Sequence, residues 1–317
     1  MSRRLILALA GGVGGGKLAR GLSAVLPPDQ LAIAVNTADD FVHLGLHVSP
    51  DIDSVLYALA DLNDPERGWG LAGETWNVMT ALERLGGETW FKLGDRDLAT
   101  HILRTRELDA GRSLSEATAL LAQRLGVAPE VMPMTDNPVR SVVQTDQGPL
   151  DFQDYFVRRH HADEALELRF SGAGDARPTS EVAQALGTAE LIVIAPSNPF
   201  VSIGPILAVP GLLNLVLNAS APVVAVSPIV GGAAVRGPAA DMMRTLGNQP
   251  GTAAGVAAHY HATYRGLVDV LVIDNADATE SDAIARTGMR PLVTNTLIAV
   301  PDARRALAEE LLALAGD

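Results

Sequence analysis

The chain has 317 residues, 48% of them apolar, and a mean hydropathy of +0.19, enough for one large or two modest domains around a sizeable core. Its 37 acidic residues outnumber 24 basic ones for a net charge of −13, with no block of Lys or Arg, which speaks against nucleic acid or an anionic membrane as partner. With no cysteine, disulfides, thiolate metal sites and a Cys nucleophile are excluded; with apolar runs far short of the ~20 residues that span a bilayer, a cytoplasmic globular protein is expected.

The start, MSRRLILALAGG, joins two arginines to an apolar run as a signal peptide does, but it passes straight into a glycine loop, so 5–10 reads as the first strand. AGGVGGGKLARGL (10–22) then opens a helix, the place where open α/β sheets bind phosphate on backbone N–H groups. Gly11 to Lys17 has the P-loop spacing, but Leu18 stands where Ser or Thr would hold magnesium, and Gly14, Gly16 and Ala19 fit the dinucleotide form only loosely. Two readings are open. Gly12, Gly14, Gly15 and Lys17 cradle an anion, or the glycines let strand and helix pack closely.

The next strand, LAIAV (31–35), runs into NTADDFVHLGLHVSPDIDS (36–54), which holds Asn36 and four aspartates. Asp39 and Asp40 end the strand on the carboxyl edge, where ligands bind in such sheets. Ser49 is placed to cap a helix that starts at Pro50, with Asp51 in the first turn and Ile52, Val55, Leu56 and Leu59 on the buried face. That accounts for Asp51 without a ligand. Asp53 points about 200° away from Asp51 around this helix. Carboxylates converging there repel one another unless a hard cation lies between them, and oxygen ligands suit magnesium or manganese. Asp39, Asp40 and Asp53 are the candidate metal ligands.

From about residue 60 to 185 the texture changes. Helical patterns cover 74–85, 98–106 and 115–125, and SVVQTDQGPLDFQDYFV reads as a hairpin around Asp-Gln-Gly, so a helical and β-hairpin cap inserted in the sheet is expected. Within it, FKLGDRDLATH (91–101) gathers Lys92, Asp95, Arg96, Asp97 and His101, either for a ligand or as a capped helix with a surface ion pair. Strands resume at 191–195, 222–226, 268–273 and 291–296, each paired with a helix-like segment. The fold class is α/β, doubly wound on a mostly parallel sheet. APSNPFVSIGPI (195–206) and SPIVGGAAVRGPA (227–239) follow two of these strands, and Ser197, Asn198, Ser202, Gly204, Gly231, Gly232 and Arg236 suit a nucleotide-sized ligand. PDARRALAEELLALAG closes the chain as an amphipathic helix. The histidines lack metal-binding spacing, and no G-x-S-x-G elbow is present.

Taken together, these stretches resemble the 2-phospho-L-lactate transferase family, also called CofD or FbiA. The match runs in order over nearly the whole chain: AGGVGGGKL, VNTADD, HLGLHVSPDIDSVLYALA, RGWGLAGETW, FKLGDRDLATHILR, MTDNPVRS, DFQDYFV, APSNPFVSIGPILAVPG and SPIVGGAAVRGPA. The resemblance implies a Rossmann-like three-layer α/β/α core, a homodimer, and a magnesium-dependent transfer of a phospho-acid from a guanylylated donor to the deazaflavin Fo, with release of GMP. Phospholactyl, phosphoenolpyruvyl and phosphoglyceryl donors occur in the family, and no motif here distinguishes them. By the family pattern Asp53 and Lys92 contact Fo or the metal site and are the catalytic candidates. Asp95 and Arg96 lie beside them, and Ser197, Asn198, Pro199, Ser227 and Pro228 lie at the guanosine diphosphate end. A non-catalytic regulator that binds a nucleotide or nucleotide sugar is the alternative, with a nicotinamide dehydrogenase behind it; retention of Asp53, Lys92 and GDRD favours the enzyme.

Overall fold

The computed structural model describes residues 5–235 and 237–315. In chain order its strands are β1 (Leu5–Ala10), β2 (Leu31–Val35), β3 (Phe41–His43), β4 (Leu46–Val48), β5 (Glu130–Pro133), β6 (Arg140–Thr145) and β7 (Gly148–Asp151). There follow β8 (Ala165–Ser171), β9 (Ala189–Ile194), β10 (Val223–Val226), β11 (Ile229–Val230), β12 (Ala233–Ala234), β13 (Val270–Asp274) and β14 (Arg290–Thr294). Seven of them form the central sheet in the order β14-β13-β10-β9-β1-β2-β5, and every pairing is parallel. The chain moves outward from β1 through β2 to β5 and then returns to β9 on the other side of β1. The strand order therefore reverses between β1 and β9, the Rossmann-type switch point.

Strands covered on both faces need no polar alternation, which is why they read as continuous apolar runs. In β1, Leu7 and Leu9 enter one core while Ile6, Ala8 and Ala10 enter the other. The second core is closed by helices α1 (Gly12–Ser23) and α2 (Pro50–Leu59) and by the closing helix Pro301–Leu312, through Leu18, Leu22, Ile52, Leu56, Leu307 and Leu311. The first is closed by 180–188 and 253–263 and by the hairpin region, through Val182, Leu186, Val256, Val143 and Phe152. The expected α/β class with helices on both faces is what the structure has.

The interval expected as a cap divides in two. β5, EVMP, lies inside it and forms the sheet edge next to β2. The rest carries α3 (Asn77–Arg84), α4 (Asp95–Asp109) and α5 (Leu114–Arg124), followed by an antiparallel sheet of order β7-β6-β8 in which the expected hairpin gains a third strand. Among the described residues no helix is long and apolar enough to cross a membrane.

Candidate active site at the carboxyl edge of the sheet

Two aspartate pairs twelve residues apart reach one place because a small hairpin folds the chain back between them. β3 and β4 pair Phe41 with Val48 and His43 with Leu46, around Leu44 and Gly45, both at positive φ (53° and 75°). Two consecutive left-handed residues make the tight turn whose twist matches an antiparallel pair. Asp39 and Asp40 thus stand at the entry of the hairpin and Asp51 and Asp53 at its exit. Ser49 precedes α2 as expected, but its hydroxyl donates to Asp40 Oδ2 (2.6 Å) and leaves the helix without a side-chain cap.

Asp39 and Asp40 open into a cleft of ≈ 240 Å³ between this edge, the 88–90 loop and the hairpin region around 151–158. The Oδ1 atoms of both carboxylates are buried without a hydrogen-bond partner, as are His43 Nε2 and Trp90 Nε1 on the same lining. Burial first, then the charges of Asp51 and Asp40, push Asp39 well above the usual carboxylate range. Burial does the same to Asp40. Buried polar atoms left unpaired cost about 1–3 kcal/mol each, so a ligand or cation that satisfies them gains that amount back. One wall is aromatic: Phe41, His43 and Trp90 line it, Phe91 packs against them, and the rings meet edge-on or tilted at centroid separations of 4.9 to 6.0 Å. Arg158 lies 4.5 Å over Trp90 and pairs with Glu88 at 3.3 Å, closing the outer side.

Asp53 is placed differently. Arg104 of α4 holds both its oxygens, with Nη1 at 3.1 Å from Oδ2 and Nη2 on Oδ1. Among the described residues no three His, Asp or Glu side chains stand as a ready metal site. Two carboxylates suffice where a nucleotide supplies the remaining oxygens, since magnesium is commonly held by one or two carboxylates, substrate phosphates and water. Asp39 and Asp40, with their unpartnered oxygens, fit that arrangement. Lys92 is exposed beside Phe91 on the same loop.

The switch point itself is closed. Ser197 Oγ accepts from the Gly11 N–H (3.1 Å) and donates to the Gly11 carbonyl (2.7 Å). Asn36 Nδ2 donates to Asp51 Oδ2 (2.9 Å) and to the Val201 carbonyl (3.2 Å), while its Oδ1 accepts from Ala38 N–H (2.9 Å). Asn198 Oδ1 accepts from Phe200 N–H at 2.9 Å. Asp51, pushed up to about 6 by burial, accepts from Gly12 N–H at the start of α1, where the sequence suggested a bound anion. The glycines have packing reasons: a Cβ on Gly14 would lie 2.2 Å from the Pro196 carbonyl, and one on Gly15 2.9 Å from Ala10 Cβ. Lys17 is half-buried on α1. Further along the edge, Ser227 Oγ bridges the N–H and carbonyl of Ile229 next to Pro228 (3.2 and 3.0 Å), and Gly231 N–H donates to both oxygens of Asp277 (2.9 and 3.1 Å). Arg236 lies outside the described residues.

The GDRD stretch is a reciprocal cap. Asp95 accepts from the N–H groups of Asn77 and Val78 at the start of α3, both at 3.0 Å; the Thr75 hydroxyl, followed by these N–H groups, holds its pKa at about 2. Glu74 in turn accepts from Arg96 and Asp97 N–H at 2.8 Å each, at the start of α4. A Cβ at Gly94 would lie 2.1 Å from the Glu74 carboxyl carbon and would displace that cap. Arg96 Nη1 donates to the Ala72 carbonyl. His43, Trp90 and Arg104 were not singled out from sequence. For Arg104 a signal existed: Asp97, His101 and Arg104 recur at helical spacing on the buried face of α4.

A Rossmann-type parallel sheet with a charged, aromatic-walled cleft at its carboxyl edge defines a small-molecule-binding α/β protein. The chain belongs to the CofD family: the model described as "2-phospho-L-lactate transferase CofD" matches residues 6–308. It is therefore a member of a transferase family. A 2-phospho-L-lactate transferase of Methanosarcina acetivorans is 38% identical over 98% of both chains, and a phosphoenolpyruvate transferase of Kitasatospora aureofaciens is 42% identical over 98% of this chain and 97% of its own. The crystal structure of a UPF0052 family protein from Bacillus halodurans, 16% identical, superposes with a TM-score of 0.65 over 98% of this chain and 99% of that one. That likeness shows the fold.

Proposed function

We propose that the protein transfers the phospho-acid moiety of a guanylylated diphosphate donor to the deazaflavin Fo, releasing GMP and forming a (dehydro) coenzyme F420-0, as a cytoplasmic homodimer. The single observation that carries this is the cleft lined by Asp39 and Asp40, whose buried Oδ1 atoms have no partner, together with the aromatic rings of Phe41, His43 and Trp90. Its two halves suit a diphosphate neutralised by a cation and a flat aromatic acceptor.

In the transfer the terminal ribityl hydroxyl of Fo forms a bond to the phosphorus that carries the acid ester. The bond from that phosphorus to the bridging oxygen breaks, GMP leaves with that oxygen, and one proton is released. Such chemistry needs positioning and charge neutralisation more than covalent catalysis. Asp39 and Asp40 would hold magnesium or manganese, which when bound supplies the positive charge that the diphosphate develops against. Asp53 keeps a second lone pair on each oxygen beyond those used by Arg104, available to the cation or to the Fo hydroxyl. A carboxylate so paired is a weak base, so its contribution is orientation. Lys92, on the loop before α4, and Arg96, in the first turn of α4, balance the anionic donor, and the Gly12–Lys17, Ser197–Pro199 and Ser227–Gly231 segments border the guanosine diphosphate.

The test is mass spectrometry of the products from Fo with the phospholactyl, phosphoenolpyruvyl and phosphoglyceryl donors in turn. GMP together with an Fo product heavier by one phospho-acid is expected with one of the three, lost with chelator and restored by magnesium. Binding of a nucleotide sugar with no GMP from any donor would make the protein a regulator instead.

A further inference from the structure

One cation lies beneath the acidic cleft. Arg104, in the middle of α4, is fully buried, at 0% exposure. A guanidinium removed from water carries a desolvation cost of several kcal/mol unless it is paired and hydrogen-bonded, and a well-packed apolar side chain there would serve stability equally well. Its fork meets both oxygens of Asp53, from α2, and Nη1 also reaches His101 Nδ1 (3.3 Å) and the His47 carbonyl (3.5 Å) on β4. One side chain thus joins α2, α4 and the hairpin that gathers the aspartates. Behind it the chain of contacts continues: His101 Nε2 lies 3.4 Å from Asp97 Oδ2, and Asp97 Oδ1 accepts from the Tyr57 hydroxyl at 2.5 Å. Tyr57 returns to α2, so the two helices are tied at two points one turn apart.

A bidentate guanidinium fixes the plane of a carboxylate as well as its position, which a single point charge does not. Without it, the Asp53 carboxylate loses the fork on both oxygens, with His101 Nδ1 3.7 Å from Oδ2 and the charge of Asp40 as neighbours. We propose that Arg104 is the positioning residue for Asp53, holding its carboxylate plane beside Asp40 at the edge of the acidic cluster; this rests on the transferase reading above. Arg104, fully buried, has no surface to offer donor or acceptor. It acts through Asp53, and His101 and Asp97 set Arg104 in turn.

The experiment compares wild type with Arg104→Lys, which keeps the charge and loses the fork, by thermal unfolding, by kcat and KM for Fo and donor, and by a crystal structure of the variant. The expected result is a melting temperature within about 5 °C of wild type, KM values within about threefold and kcat lower by about 100-fold. In the crystal the Asp53 carboxylate is rotated from its wild-type plane. A purely structural role predicts something else: kcat per folded molecule unchanged, whatever the melting temperature, and that outcome overturns the proposal. If Arg104→Lys does not fold, Arg104→Gln, which keeps a neutral donor, is read by the same criteria. If wild type itself releases no GMP, the transferase reading fails separately, and the crystal structure decides: an unmoved Asp53 overturns the positioning role and a rotated one supports it.

Discussion

Two neighbouring parts of the same sheet edge are built on opposite terms. At the switch point, Gly11, Asn36, Asp51 and Ser197 satisfy one another, and the glycines bring backbone so close that a methyl group would collide. Beyond β2, Asp39, Asp40, His43 and Trp90 leave polar atoms buried and unpartnered. A ligand entering the first region must replace hydrogen bonds that already exist, whereas one entering the second supplies bonds that are missing, so the gain on binding is larger there. The edge where such a fold expects a phosphate is thus already tied by its own side chains, a keystone in which Asp51 accepts from Gly12 N–H.

The difference can be broken from either side. The largest effect is expected at Gly14→Ala, whose methyl group would lie 2.2 Å from the Pro196 carbonyl. A loss of about 3 kcal/mol in urea unfolding is expected, because backbone has to move; a neutral substitution would mean that the keystone is loose. In the open region Asp39→Asn should do the reverse, removing a carboxylate whose charged form is disfavoured by burial and then by Asp51 and Asp40. The unliganded protein is expected to gain about 1 kcal/mol while turnover falls by about 100-fold. Loss of stability together with retained turnover would remove Asp39 from the site.

A pH dependence tests how dry the keystone is. Asp51 has a folded pKa raised from 3.8 to about 6, so the folded state binds more protons than the unfolded one between those values. Its contribution is fully present below 3.8 and is lost as pH rises through about 6. Between pH 4 and pH 8, wild type should therefore lose about 1–3 kcal/mol relative to Asp51→Asn. A flat difference would place Asp51 in water and erase the contrast between the two regions.

Much of the scaffold was legible along the chain. Six of the seven central strands stand out as apolar runs, and the buried face of α2, with Ile52, Val55, Leu56 and Leu59, follows from helical spacing. β5 did not stand out, because EVMP is four residues with a charge at one end and a proline at the other. In the 91–101 stretch, Asp95 and Glu74 make each other's helix caps, a pairing across 21 residues that no local pattern displays. Arg104 was missed for a similar reason, since an arginine in a helix is ordinarily solvated and its partner lies 51 residues away.

By itself the sequence determined the α/β class, the order of its strands along the chain, and which residue types crowd the carboxyl edge, because these depend on local periodicity and on where apolar runs end. Only the tertiary structure decided which aspartates are satisfied and which are not. That property belongs to pairs: Asp51 and Asp53 meet Asn36 and Arg104, Asp39 and Asp40 keep unpartnered oxygens, and the distinction arises only when the hairpin and α4 bring distant side chains within hydrogen-bonding range.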